Sequence, residues 1–179
     1  MQIYIPVTLA MLQQLVADGS LLPVNGTAFA VTPRLREAYA EGDDDELGDV
    51  ALREAALASL RLLAASDASA LSDASEQSDA KLPPRRAVLV ADVKDAGAVT
   101  LRPDLDDAVV RIGAPVAIND VIAAYVDNAA AEADVMAAIA VIDEADLGDE
   151  DAELTVGDAQ DHDMAWYATQ ELPFLLELL

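Results

Sequence analysis

The chain has 179 residues and no cysteine, and 54% of its residues are hydrophobic although only 4% are aromatic. Its 34 acidic residues outnumber 10 basic residues, which gives a formal net charge of −24. These totals exclude disulfides and Cys-ligated metals, predict one domain, and disfavour direct binding to nucleic acid or to anionic membranes.

The negative charge has three explanations that the sequence leaves open. It can keep an Ala-rich surface solvated, or it can attract a basic protein partner. Adaptation to high salt also suits an Asp-rich chain whose only lysines are Lys81 and Lys94. We expect a cytoplasmic protein, because no run of 18 apolar residues is present and residues 1–6 lack the features of a signal peptide.

Strands and helices alternate in the first third of the predicted structure. Thr8 is a suitable N-cap, and Gly19 is a suitable C-terminal stop for the helix between them. Thr32 followed by Pro33 predicts another helix start. In chain order, the predicted elements are a strand at 3–7, a helix at 9–18, a strand at 27–31, and helices at 33–40 and 45–65.

Residues 66–84 form a segment rich in Ser, Asp and Ala. The segment has no aromatic residue and no apolar period, so it buries too little surface to offset the entropy of ordering. We therefore predict a flexible internal linker within a single domain of residues 1–179. Its Ala, Glu and Gln residues also permit a further turn or two of the preceding helix.

The second half predicts mainly strands. Residues 120–126 fit a strand better than a helix because they are short and rich in β-branched residues. In order, we predict strands at 87–93, 98–101, 108–112 and 120–126, a helix at 129–146 capped by Asn128, an acidic loop at 146–163 with a short element at 153–156, and a last strand and closing helix after it. Adjacent strands predict an α+β fold, with a single mixed or antiparallel sheet and helices mainly on one face.

Motifs for common chemistry are absent from the sequence. It contains no Gly-x-Gly-x-x-Gly, no Gly-x-x-x-x-Gly-Lys-Ser/Thr and no Gly-x-Ser-x-Gly. Neither Asp104-Leu105-Asp106 nor Asp149-Glu150-Asp151 has the glycine of a calcium-binding loop. We therefore assign no catalytic residue, no cofactor and no metal ligand.

The only His and the only Trp lie close together near the C-terminus. His162 stands between Asp161 and Asp163, and such a group can bind a divalent ion or act as a base. The ordinary interpretation is a solvated loop histidine. Trp166 and Tyr167 can form a recognition surface, but alternation along a strand buries one and exposes the other, so we favour packing where the core is most aromatic.

Three further residues are candidates for an interaction surface. Arg85 and Arg86 can hold a phosphate or a carboxylate, although pairing with local Asp fits so acidic a chain better. Phe174 belongs to the apolar tail 174–179, which can insert into a groove of a partner. Packing of the tail on its own sheet is the favoured interpretation.

Three segments together resemble a known family. They are Ile3-Tyr4-Ile5-Pro6-Val7-Thr8, Ala124-Tyr125-Val126-Asp127, and the run from His162 to Leu172 that contains Met164-Ala165-Trp166-Tyr167. These segments resemble a family of small, acidic, uncharacterised actinobacterial proteins. The resemblance implies a cytoplasmic actinobacterial protein with no known activity and no known catalytic residues.

Three functional hypotheses remain at this stage. The first is a non-enzymatic interaction or regulatory domain whose acidic surface binds a basic protein partner. The second is a small ligand-binding protein or enzyme that uses His162 with nearby carboxylates, and it predicts a concave pocket beside Trp166. The third is a structural subunit of a larger assembly, anchored by the C-terminal tail.

Overall fold

The computed structural model describes residues 1–39, 41–72, 82–94 and 96–178. Its described strands are β1 (Gln2–Val7), β2 (Ser20–Leu21), β3 (Thr27–Phe29), β4 (Ala87–Asp92), β5 (Val99–Leu101), β6 (Val109–Ile112), β7 (Val116–Ala117), β8 (Val121–Val126) and β9 (Ala165–Ala168). Its described helices are α1 (Leu9–Asp18), α2 (Pro33–Ala38), α3 (Asp44–Ser72), α4 (Glu132–Asp146), α5 (Glu150–Gln160) and α6 (Leu172–Glu177).

A seven-stranded antiparallel sheet organises the fold, in the order β5-β6-β3-β1-β4-β8-β9. The short strands β2 and β7 pair with each other in a separate two-stranded sheet. The predicted α+β class with an antiparallel sheet is therefore confirmed. The preference for strand over helix at residues 120–126 is also confirmed, because β8 occupies them.

One face of the sheet is covered by α1 and α6. Thr8 caps α1 as predicted, since its Oγ1 accepts a hydrogen bond from the Met11 N–H at 3.3 Å. Gly19 ends α1 with φ 79°, a left-handed conformation that glycine adopts readily. Alternate β1 residues pack with leucines of both helices; the buried set includes Ile3, Ile5, Val7, Leu9, Leu12, Leu15, Leu172 and Leu175.

The opposite face is covered by α3, assisted by α2. Ala51 and Ala55 are fully buried there, and their small side chains let the helix approach Phe29 and Val88 of the sheet. Ser59 lies on the same helix and its Oγ donates a hydrogen bond of 2.7 Å to the Val7 carbonyl. The helices α4 and α5 pack in turn around α3. Most of the described helical residues therefore lie on this side, as predicted.

The predicted acidic loop at 146–163 is wrong, because most of it forms α5. Asp149 is its N-cap and accepts a hydrogen bond from the Ala152 N–H at 2.9 Å. Acidic residues in its first turn stabilise the helix, because they lie near the positive end of the helix dipole. Ala152, Val156 and Ala159 form the buried face. Because this face contains only one large apolar residue among many acidic ones, the sequence shows no clear helical period of apolar residues here.

The linker predicted at 66–84 lies partly outside the described residues. Helix α3 continues to Ser72, which fits the extra turns that the sequence permits. Residues 73–81 are outside the described part of the chain, so the linker stays a prediction. Among the described helices, none combines the length and the apolar character that crossing a bilayer requires.

Candidate functional site

A surface groove runs between α3 and the sheet. Two adjoining cavities of about 650 Å³ and 380 Å³ form it, and they share Asp49, Leu52 and Tyr125. We name it the acidic groove, and its lining includes Tyr4, Asp45, Asp49, Leu52, Tyr125 and Asp163. Its size is comparable to the volume of known ligand pockets.

Helical and strand periods bring these residues together. Asp45, Asp49 and Leu52 are spaced four and three residues apart, so they follow one another along one side of α3. Tyr4 comes from β1 and Tyr125 from β8, and both pack on the sheet face that α3 covers. The groove therefore has a carboxylate wall on the helix and phenol rings on the sheet.

Tyr4 reaches the helix because Gly48 has no side chain. A Cβ atom at Gly48 would lie 3.0 Å from the Tyr4 Oη, closer than nearly all real contacts of this kind. The Tyr4 Oη also accepts a hydrogen bond from Gln2 Nε2 at 3.3 Å. Burial raises the pKa of Tyr4 above its ordinary value, and nearby Tyr125, Asp49 and Asp45 raise it further. The phenol is therefore neutral throughout the physiological pH range.

The carboxylates of the groove are unequally compensated. Asp44, at its rim, forms an ion pair with Arg36. In the described part of the chain, no ion pair involves Asp45, Asp49 or Asp163, and all three side chains are exposed. Arg36, Arg53 and Arg86 also line the two cavities, but their ion pairs are with Asp44, Asp161 and Asp127. Asp45, Asp49 and Asp163 are thus the lining carboxylates without an ion pair within 4.0 Å in the described part of the chain.

A buried ion pair lies beneath one end of the groove. Arg86 is 1% exposed and Asp127 is completely buried. The Arg86 guanidinium donates to both Asp127 carboxylate oxygens, from Nε at 2.8 Å and from Nη2 at 2.7 Å. It also donates to Gln160 Oε1 at 2.8 Å and to the His162 carbonyl at 3.0 Å. One guanidinium thus ties the start of β4 and the end of β8 to the chain that leaves α5.

His162 contacts a carboxylate from another element. Its Nε2 lies 2.6 Å from Asp134 Oδ2 on α4, and its side chain is only 28% exposed. His162 lies on the loop between α5 and β9, as expected, but the contact with Asp134 leaves its side chain only partly solvated. His162 lines the smaller cavity, but Trp166 does not, so the predicted pocket beside Trp166 is not confirmed.

The other candidates from the sequence are scattered. Asp163 lines the acidic groove, while Asp161 is exposed and lies 3.9 Å from Arg53 Nη2. Trp166 is 55% exposed, and Tyr167 packs against the core, so alternation is confirmed. The expectation that the core is most aromatic at this end is therefore wrong for Trp166, whose side chain is exposed.

The arginine and tail predictions are also resolved. Arg86 pairs with an Asp, Asp127, as predicted, whereas the partner of Arg85, at 3.4 Å, is Glu132. The tail packs on its own fold through Leu175, as favoured. Phe174 points outward and is 68% exposed.

Sequence reasoning missed the helix side of the groove. Neither Asp45 nor Asp49 is among the site residues that the sequence predicts. The available signal was the spacing of Asp45, Asp49 and Leu52 on one predicted helix. The aromatic side, from Tyr4 and Tyr125, required knowledge of the strand order.

A family model covers nearly the whole chain, from residue 1 to residue 176, and describes a family of unknown function (DUF6912). The chain belongs to this family. The DUF6912 match spans every strand and every element that lines the acidic groove. No curated protein and no solved structure matches the chain.

Proposed function

We propose that the protein is a non-enzymatic interaction domain whose acidic groove binds a basic segment of a protein partner. The observation that carries the proposal is the groove itself, which presents three exposed carboxylates without ion-pair partners beside two tyrosine rings. The other charges of the chain reinforce it, since a net charge of −24 attracts basic proteins over distance.

The helix wall of the groove favours a cationic occupant. Asp45 and Asp49 are four residues apart on α3, and like charges at this spacing destabilise a helix. A Lys or Arg side chain placed between them would remove this repulsion. Binding would therefore stabilise α3 as well as neutralise the groove.

The sheet side of the groove can contact both the charged group and the methylene stem of a Lys or Arg side chain. The neutral rings of Tyr4 and Tyr125 can face a cation through their π-electrons, a contact that is worth about 0.5–1 kcal/mol at an exposed site. Leu52 provides an apolar surface for the methylene stem of Lys or Arg. The groove thus matches both parts of a long basic residue.

Capture from a native lysate with matched variants tests the proposal. The test variant is Asp45→Asn/Asp49→Asn, and the control is Asp143→Asn/Glu144→Gln, which makes the same charge change on the exposed surface of α4. We expect wild type and control to retain a stoichiometric basic protein at low salt and to release it at high salt. The test variant should retain little of it. Retention that ignores salt, or equal loss from the control, would contradict the proposal.

A second candidate function rests on the pairing of His162 with Asp134. The arrangement orients an imidazole at the end of the smaller cavity, as a general base or a ligand-binding group requires. A screen of small anions and carbonyl compounds, monitored by the NMR signals of the single His ring, tests it. A hit that Asp134→Asn abolishes would support this function, and a screen without a hit at His162 would argue against it.

We also infer that the protein is actinobacterial and cytoplasmic. The resemblance of the three segments that include Ile3–Thr8 and the run from His162 to Leu172 supports the origin. The absence of cysteine is compatible with a reducing compartment. Fractionation of cells that produce the protein, followed by immunodetection, tests the location.

A further inference from the structure

The strand β9 lies at one edge of the seven-stranded sheet. Its pairing partner is β8, with a continuous register from Val126↔Ala165 to Ala123↔Ala168. An edge strand exposes backbone N–H and C=O groups on its outer side, and these groups can pair with a further strand. All four residues of β9 are at least partly exposed, as an open edge requires.

Several protections that are common on edge strands are missing from β9, which is short at four residues. Proteins commonly protect an edge with Lys, proline, inward-pointing charges or a β-bulge. The sequence of β9 is Ala-Trp-Tyr-Ala, which has no charge and no proline, and its ladder with β8 has no register shift. The opposite edge, β5, is followed at once by Arg102 and Pro103. β9 is therefore the edge that is open to an additional strand.

The charges around β9 decide between possible occupants. Asp161 and Asp163 precede the strand and Glu171 follows it, and all three are exposed. A second copy would bring the same acidic residues and another net charge of −24 to this edge. A segment that carries Lys or Arg would instead be attracted there.

The edge is also continuous with the acidic groove. Trp166 pairs directly with Tyr125 across the β8–β9 ladder, so both side chains lie on the sheet face that lines the groove. Met164, just before β9, lines the groove as well. A strand added beside β9 would place every second side chain on this face, next to the exposed Trp166 ring.

We infer that β9 accepts an extended, Lys/Arg-bearing segment of the partner as an additional strand of the sheet, with alternate basic side chains directed along the face of the groove. This inference rests on the proposed function and specifies the conformation of the partner. Backbone pairing would supply affinity, and the acidic flanks would select a basic sequence.

The test uses the full chain and two synthetic probes of about ten residues, the length of a long strand. One probe alternates Lys with Val and forms strands readily. The other alternates Lys with Pro, so it has the same charge, but every second residue lacks an amide N–H and the fixed φ of proline favours polyproline II over a strand. Binding is measured by NMR titration, and the exchange of the amides of residues 165–168 is followed with and without each probe.

Two variants accompany the probes. Trp166→Lys adds a positive charge to the open edge at an exposed side chain. Leu101→Lys makes the same change on the opposite edge, where the side chain is 43% exposed. Both change the net charge equally, so a difference between them reports the place of binding.

We expect the Lys-Val probe to bind about tenfold more tightly than the Lys-Pro probe, and to slow exchange of outward-facing amides in β9 about tenfold. Trp166→Lys should weaken this binding and Leu101→Lys should not. Equal binding of both probes without protection of β9 would overturn strand addition and leave the acidic groove as the binding site. If neither probe binds, both strand addition and the proposed binding of a basic segment are contradicted. Protection of β9 without a probe, together with a dimer mass by light scattering, would identify a second copy as the occupant and overturn the inference.

Discussion

Arg86→Met is expected to destabilise the fold strongly while leaving most of the side-chain volume in place. Arg86 makes four side-chain hydrogen bonds in a buried site, two of them to Asp127. Removal of one partner of a buried ion pair leaves an uncompensated charge, which lowers the free energy of unfolding by about 3–5 kcal/mol. At about 2–4 °C per kcal/mol for a chain of this size, the midpoint of thermal unfolding falls by about 6–20 °C.

Equilibrium unfolding in urea, followed by circular dichroism, measures this loss without adding salt that would screen the charges. Arg61→Met is the matched control, because Arg61 makes the same two-bonded contact with Asp146 but both side chains are about half exposed. The control should lose less than about 1 kcal/mol. The hydrogen bond from Arg61 lowers the pKa of Asp146, so this small contribution is present at neutral pH and disappears as the pH falls through that lowered pKa.

The double variant Arg86→Met/Asp127→Asn separates two explanations of the loss, because the amide removes the charge and keeps an acceptor for the Arg86 backbone N–H. If the unpaired carboxylate causes it, replacing Asp127 as well should recover most of the stability. If packing around the guanidinium causes it, the double variant should be as unstable as Arg86→Met alone. That result, or an equal loss in Arg86→Met and Arg61→Met, would refute the reasoning.

Three other predictions concern packing and charge. Burial and the charge of Asp106 raise the pKa of Glu54, so ionisation of Glu54 opposes folding as the pH rises. Glu54→Gln should therefore gain up to about 0.5 kcal/mol at pH 7, and urea titrations below pH of about 4 should show no gain. Leu175→Ala should lower the free energy of unfolding by about 2–4 kcal/mol, whereas Phe174→Ala should lower it by less than about 0.5 kcal/mol because the Phe174 side chain is exposed. Equal losses would contradict the packing of the tail through Leu175. Gly48→Ala should raise the free energy of unfolding by about 1 kcal/mol, the helical preference of Ala over Gly, but only when Tyr4→Phe has removed the hydroxyl that a Cβ at residue 48 would meet. A double-mutant cycle of the two substitutions that gives zero coupling would contradict this contact.

Local signals in the sequence identify much of the fold. Thr8 and Gly19 define both ends of α1, and Asn128 caps the turn that precedes α4 through a hydrogen bond from the Ala130 N–H. These features depend on interactions within a few residues, which sequence reasoning can follow. The same reasoning failed for α5, because the buried side chains Ala152 and Ala159 are too small to mark an apolar face.

The candidate site depends on contacts between distant parts of the chain. The sequence correctly predicts that Arg86 pairs with an acidic residue. It does not reveal that Asp127, at the end of a strand far along the chain, is the partner or that both are buried. Likewise Tyr4 and Tyr125 share a groove only because β4 alone separates β1 from β8 in the sheet. Strand order, which no local pattern contains, determines this part of the site.

The central position of β1 has a consequence for how the protein folds. Its ladder with β4 joins Gln2 to Asp92, and the ladder from β3 to β6 joins Thr27 to Arg111. Only β5 and β6 are sheet neighbours connected by a short loop. Chains dominated by such long-range pairing fold in about milliseconds to seconds, far more slowly than helical bundles. Although more of the described residues are helical than extended, formation of the sheet should therefore determine the folding rate. Helices that form early can pack only after β4 and β8 have joined the sheet.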